Sequence, residues 1–171
     1  MVFSSIPFIF FFFPIFLIIY YIVPFKLKNI VLLIFSLIFY AWGEPVYILL
    51  MIFSSLLDYT NGILLGKYKK KKIRNLILIE SIVINLLLLS FFKYSDFLIQ
   101  NINNIFNLNI PLLNLPLPIG ISFFTFQTMS YTIDVYRHNV KEEKNFLNFM
   151  TYVSMFPQLI AGPIVRYETV H

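Results

Sequence analysis

The stretch LPLPIGISFFTFQTMSYTIDVYR, residues 115–137, decides how this chain is read. Pro116, Pro118 and Gly120 bar a regular helix entry, and an apolar, aromatic-rich run follows. Within that run Gln127, Tyr131 and Asp134 stand at i, i+4 and i+7, with Ser130 and Arg137 close to the same stripe. A polar stripe on an otherwise apolar helix faces protein or water rather than lipid. Two readings of it stay open: hydrogen bonds that hold helices together, or the lining of a cavity or pathway.

The rest of the chain places that helix in a membrane. Of 171 residues, 59% are hydrophobic, 19% aromatic and only 12% charged, where soluble domains run about 45–50% apolar and about 25% charged. Mean hydropathy is +0.81, and there is no Cys. These values exclude a soluble enzyme, a disordered tail and a disulfide framework. Charges and helix breakers cut the sequence into apolar stretches near 6–23, 30–42, 46–66, 76–92, 111–133 and 146–165. The expected fold is therefore an all-α integral membrane protein, one membrane domain with about six transmembrane helices. The second stretch is short for a full crossing. Residues 97–110, FLIQNINNIFNLNI, carry Leu98, Ile102, Ile105 and Phe106 at helical spacing. That pattern predicts a separate interfacial helix, with an Asn-rich loop as the alternative. The first 25 residues carry no charge and no small-residue cleavage site follows, so they read as a retained span, kinked or started by Pro7 and Pro14, and not as a signal peptide.

The net charge of +5 is localised. Lys67, Lys69, Lys70, Lys71, Lys72 and Arg74 crowd one loop, which fits membrane topology and excludes nucleic acid as a partner. If all six stretches cross, eleven of the thirteen Lys and Arg fall in one set of loops: Lys26 and Lys28, the 67–74 cluster, and Arg137, Lys141 and Lys144. Only Lys93 and Arg166 fall in the other. The positive-inside rule then predicts cytoplasmic basic loops and an outside N-terminus.

Other polar groups inside the spans need partners. Asp58 lies mid-span with Asn61 three residues on, as the wall of a pore or chamber or as a structural carboxyl satisfied by a neighbouring helix. Gly62 and Gly66 form a G-x-x-x-G that allows close helix approach. Glu80 reads as reaching the headgroup region. Pro157, Gly162 and Pro163 are expected to break the sixth stretch, with Gln158 beside Pro157 offering a hydrogen-bond partner for freed backbone. His138 and His171, the only histidines, share no helix face with a carboxylate, so no metal site is expected. No nucleophile–base pair or nucleotide-binding fingerprint occurs.

At MVFSS (1–5), FYAWGEPVYILL (39–50), LPIGISFFTFQTMSYTIDVYR (117–137) and FPQLIAGPIVRY (156–167) the chain resembles the membrane-bound O-acyltransferase family, most closely the branch containing alginate O-acetyltransferase. The resemblance is collinear from Met1 to about Tyr167. It implies a ring of helices around a tunnel joining the cytoplasm to the outer face. A cytoplasmic donor, acetyl-CoA or an acyl carrier, gives its acyl group to an extracytoplasmic polysaccharide. No bound cofactor or metal is implied; the bilayer and a periplasmic or extracellular acetyl-handling protein are the implied partners. The family's catalytic His lies in a later Trp-His-Gly-like motif, whereas Trp42 is this chain's only Trp. The resemblance therefore implies an N-terminal portion of such an enzyme, inactive alone, and no catalytic residue is carried over. Asp58, Gln127, Ser130, Tyr131, Asp134, Gln158 and Arg166 become tunnel-wall or scaffold positions. Lys67, Lys69, Lys70, Lys71, Lys72, Arg74 and Arg137 become donor-side cations. Alternatives are D-alanyl transfer to teichoic acid within the family, or a non-catalytic membrane protein such as a transporter subunit.

Overall fold

Four apolar segments open the fold, and helix geometry decides how far each reaches. The computed structural model describes residues 5–162 and 167–169. A π-helical turn, Phe8–Phe12, runs into α1, Phe13–Ile22. Pro14 stands in the first turn of α1, where it has no N–H to give and displaces the usual i to i−4 register, so the wider turn precedes it. A 3₁₀ turn, Phe25–Leu27, leads into α2, Lys28–Gly43. Helices α3, Ile48–Lys67, and α4, Lys71–Phe106, follow. The helical runs Phe25–Gly43, Ile48–Lys67 and Lys71–Phe106 are each long and apolar enough to cross a membrane; Phe8–Ile22 is shorter.

Helix α4 corrects one expectation. The segment read as a separate interfacial helix continues α4 without a break, for 36 residues and about 54 Å. Lys93, Tyr94, Ser95 and Asp96 are polar but contain neither Gly nor Pro, so nothing stops the hydrogen-bond ladder there. The helix ends where Asn107 turns left-handed (φ 51°). The chain then runs back without regular structure, and two α4 side chains fasten it. Asn103 exchanges both amide hydrogen bonds with the Ile110 backbone (2.9 and 3.0 Å), and the Asp96 carboxylate accepts from the Leu113 and Asn114 N–H groups.

Helix α5, Ile121–Tyr136, starts only after the three prolines of this strap, at Gly120 with φ 75°. The sixth stretch divides into α6, Phe146–Ser154, and α7, Phe156–Ala161, and a final 3₁₀ turn spans Tyr167–Thr169. The division falls at Met155, two residues before the Pro157 expected to break the stretch. Pro157 sits in the first turn of α7, where proline starts a helix, and pushes the break upstream. Pro163 lies outside the described residues.

Among the described residues the architecture is an all-α bundle with α5 at its centre, packed on α3, α4 and α6, while α2 packs on α6 and α1. The faces of α4 show the solvent the bundle is built for. Ile77, Ser81, Asn85 and Leu89, one turn apart, are buried, while Leu76, Ile79, Val83 and Leu87 lie exposed on the other side. Polar groups inside and aliphatic groups outside suit hydrocarbon surroundings. A second, wholly aromatic cluster of Phe8, Phe16, Phe39 and Phe156 ties α1 to α2 and α7.

Candidate functional site

Three helices each carry two polar residues one turn apart: Ser54 and Asp58 on α3, Ser81 and Asn85 on α4, Thr128 and Thr132 on α5. They meet in the middle of the bundle, and all six are buried. Asp58 Oδ1 accepts from Ser81 Oγ and from Thr132 Oγ1 (3.0 Å), and Oδ2 accepts from Asn85 Nδ2 (2.7 Å). Ser54 Oγ donates to Asn85 Oδ1 (3.0 Å) and lies 3.4 Å from Thr128 Oγ1. These contacts join the three helices. Of the six, the sequence reading singled out Asp58 alone. The signal for the others was the i, i+4 spacing shared by all three helices, hidden because single Ser and Thr residues are common in apolar helices and satisfy themselves on their own backbone.

The stripe on α5 faces another way, toward α6 and the turn Tyr167–Thr169. Gln127 Nε2 donates to the Tyr152 carbonyl (2.9 Å). Tyr131, fully buried, packs at a tilt against Phe149 (centroids 4.6 Å) and edge-on against Tyr167 (5.0 Å), and its hydroxyl accepts the Glu143 N–H (2.9 Å). Glu143, itself buried, takes the Tyr167 hydroxyl on Oε2 (2.5 Å) and the Asn145 N–H on Oε1 (2.7 Å). Burial, together with that hydrogen bond and the charge of Glu143, holds the Tyr167 phenol above its ordinary pKa. Ser130 turns its hydroxyl back onto the Gln127 carbonyl (2.8 Å). Asp134 is 5% exposed; Oδ1 accepts only a long bond from Asn139 (3.4 Å), and Oδ2 has no partner among the described residues. Gln158 Nε2 and Asn61 Nδ2 are likewise buried without a partner there. A cavity of about 170 Å³ beside the stripe is lined by Asn29, Glu143, Asn148, Thr151, Tyr152 and Tyr167, among others. Gly62 sets this geometry: a Cβ there would lie 2.5 Å from the Tyr131 hydroxyl, so the glycine lets the phenol rest on α3. Arg166 and His171 lie outside the described residues, and Arg137 is exposed at the end of α5, away from the stripe.

The three basic segments gather at one end of the bundle. Asn29, next to Lys28, donates to Asn148 (3.2 Å), and Tyr59 donates to the Lys144 carbonyl (2.7 Å). Arg74 joins α4 to the ends of α3 and α5: its guanidinium donates to the Leu65 carbonyl and to those of Val135 (3.4 Å) and Tyr136 (2.7 Å). It also lies over the Tyr136 ring at 5.4 Å. Arg74 is 8% exposed, whereas Lys67, Lys69, Lys70, Lys71 and Lys72 are exposed. Read as one more donor-side cation, Arg74 instead neutralises two helix C-termini. Beside it a cavity of about 520 Å³ opens among Gly66, Tyr68, Lys69, Arg74, His138, Lys141 and Glu142. Among the described residues no three His, Asp or Glu side chains converge as metal ligands.

Comparison with known proteins follows the whole length of this architecture. The chain is 39% identical, over 98% of its residues, to the probable alginate O-acetylase AlgI of Pseudomonas aeruginosa. It is 37% identical to the probable alginate O-acetylase AlgI of Azotobacter vinelandii and 33% identical to the peptidoglycan O-acetyltransferase of Helicobacter pylori, again over 98% of the chain. The chain spans 33%, 35% and 37% of those three proteins. No family model and no solved structure matches. The similarity is thus to alginate O-acetylase-like membrane-bound O-acyltransferases, at family level, over nearly all of this chain and about a third of its relatives.

Proposed function

We propose that this chain is the N-terminal part of a bacterial membrane-bound O-acyltransferase that carries acetyl groups from a cytoplasmic donor to an extracytoplasmic polysaccharide. The similarity over 98% of the chain to proteins named for O-acetyl transfer carries the proposal. In this reading the chain spans the inner membrane six times, with α5 and the broken pair α6 and α7 completing crossings that begin with α1. Its N-terminus lies outside, and the exposed lysines of 67–72, with Arg137, face the cytoplasm and draw in an anionic donor, acetyl-CoA or an acyl carrier. The stripe of Gln127, Tyr131 and Asp134, with Gln158, forms part of the wall along which the acyl group passes. The buried Asp134 Oδ2 and Gln158 Nε2, without a partner among the described residues, support that placement, because a polar atom left unsatisfied there needs water, substrate or further protein.

Proton removal from the acceptor hydroxyl falls to residues outside this chain, and an extracytoplasmic acetyl-handling protein is the natural second component. Similarity to a peptidoglycan O-acetyltransferase keeps peptidoglycan beside alginate-like polymers as acceptor class. The test is transfer of labelled acetyl from acetyl-CoA to polysaccharide by membranes holding the complete polypeptide that contains this chain. Label is expected in the polymer and should fall at least tenfold in Asp134→Asn. Label that never leaves the donor, with either polymer class supplied, overturns the proposal.

A further inference from the structure

The larger cavity at the basic end lies apart from the proposed wall of Gln127, Tyr131, Asp134 and Gln158, and its lining is unusual in three respects. Three cations, Lys69, Arg74 and Lys141, stand against one carboxylate, Glu142. Two helices, α3 and α5, end there, and free helix C-termini would repel an anion. The Arg74 guanidinium removes that repulsion by taking the carbonyls of Leu65, Val135 and Tyr136, which leaves the exposed ammonium groups of Lys69 and Lys141 to act on whatever enters. His138 is the third feature. It ends α5 in a Schellman turn, with its own N–H on Val135 (3.2 Å) and the Asn139 N–H on Asp134 (3.0 Å). That turn calls for a left-handed residue, normally glycine, and His138 adopts φ 62° there. The strained position puts an imidazole in the cavity wall where glycine would put none.

Depth identifies the ligand. On α4 the lipid-facing residues Leu76 and Ile79 begin one to two turns below the exposed Lys71 and Lys72. The cavity, bordered by Tyr68 and Lys69, therefore sits where aliphatic surface gives way to charge, the level of lipid headgroups. Its floor of Leu65, Val135 and Val140 is apolar, and its volume of about 520 Å³ is that of a small-molecule site.

We propose that this cavity binds the phosphate-bearing headgroup of an anionic phospholipid, with Lys69, Lys141 and His138 around the phosphate. The site shares Lys69 with the lysines proposed to draw in the donor, but it rests on the lining of this cavity and not on the acyl-transfer reading. The experiment is binding of phosphatidylglycerol, against phosphatidylcholine, to the complete purified protein in neutral detergent micelles, where no charged surface contributes. Phosphatidylglycerol should bind one per chain and phosphatidylcholine at least tenfold more weakly. Lys69→Gln with Lys141→Gln should weaken phosphatidylglycerol about 30-fold, the loss expected of two headgroup-level lysines. Lys71→Gln with Lys72→Gln removes equal charge outside the cavity and should change binding less than about threefold. Both pairs are exposed, and an unchanged elution profile checks that the fold survives. Equal losses from the two pairs would mean a diffuse field, equal binding of the two lipids would mean no phosphate-charge recognition, and displacement of the lipid by millimolar inorganic phosphate or ADP would mean a soluble ligand; each overturns the proposal.

Discussion

Replacing Gly62 with alanine tests the central packing of the bundle, because local propensity and tertiary contact pull in opposite directions. In a helix interior alanine gains about 1 kcal/mol over glycine. Here the new Cβ would stand 2.5 Å from the Tyr131 hydroxyl oxygen and 2.7 Å from ring carbon Cε1, closer than atoms approach. The ring has no room to retreat, being fully buried with Phe149 and Tyr167 against it. Overpacking of this kind costs about 1–3 kcal/mol. Any retreat of the phenol also lengthens its 2.9 Å bond from the Glu143 N–H and strands a buried donor, a further cost of about 1–3 kcal/mol. The expected net effect of Gly62→Ala is destabilisation by about 1–5 kcal/mol, measured by unfolding in detergent. Tyr131→Phe removes the atom in closest conflict but also the acceptor for Glu143, so it destabilises alone. In the double variant the alanine should be tolerated better by at least about 1 kcal/mol, a coupling that a double-mutant cycle reads directly. A Gly62→Ala protein more stable than wild type by the propensity gain alone, or a cycle that is additive, would refute the packing argument.

Three further outcomes follow from the same structure. Asp58→Ala strands donors on Ser81, Thr132 and Asn85, and at about 1 kcal/mol or more each it should lower stability by about 2–4 kcal/mol, with Asp58→Asn milder; equal thermal unfolding of wild type and Asp58→Ala would reject the network. His138→Gly relieves a left-handed backbone and should raise stability by about 1 kcal/mol in the same assay, while a loss would show that the imidazole holds the turn. Cysteines at Lys70 and Asn104, near opposite ends of α4, should react with impermeant reagents from opposite sides of the membrane; labelling from one side would break the topology. Asn104 is preferred to Asn103, whose amide clamps the strap at Ile110.

What could be read without coordinates follows from which interactions leave a periodic trace. The stripe of Gln127, Tyr131 and Asp134 was legible because large polar groups recur on one face of an apolar helix, and the structure buries all three, with Gln127 on Tyr152 of α6 and Tyr131 on the Glu143 backbone. The gathering of the basic loops was legible because charge cannot cross lipid cheaply, and each loop keeps its charge at one end. The single course of α4 was not, since hydropathy falls at Lys93 and Asp96 although backbone propensity does not. The break at Met155 was hidden for a related reason: a proline announces a boundary but not on which side it falls. The roles of Glu143, Tyr152 and Tyr167 depend on three segments meeting, and no local pattern encodes that meeting.

The two polar faces of α5 divide its work. In lipid, apolar surfaces give helices little reason to associate, so cohesion rests on close packing and hydrogen bonds. Thr128 and Thr132 supply that cohesion toward α3 and α4, in a network where the Asp58 carboxylate has a donor on each oxygen. The adjoining face is incompletely satisfied: Asp134 keeps one oxygen without a partner among the described residues, and the amide of Gln158 on α7 is in the same state. Such atoms are costly to bury and would be removed by a single apolar substitution if cohesion were their only purpose. A helix saturated on one face and open on the other is therefore anchored by the first and available on the second. Under the proposed function, the wall of the acyl path therefore continues on the side of α6 and α7.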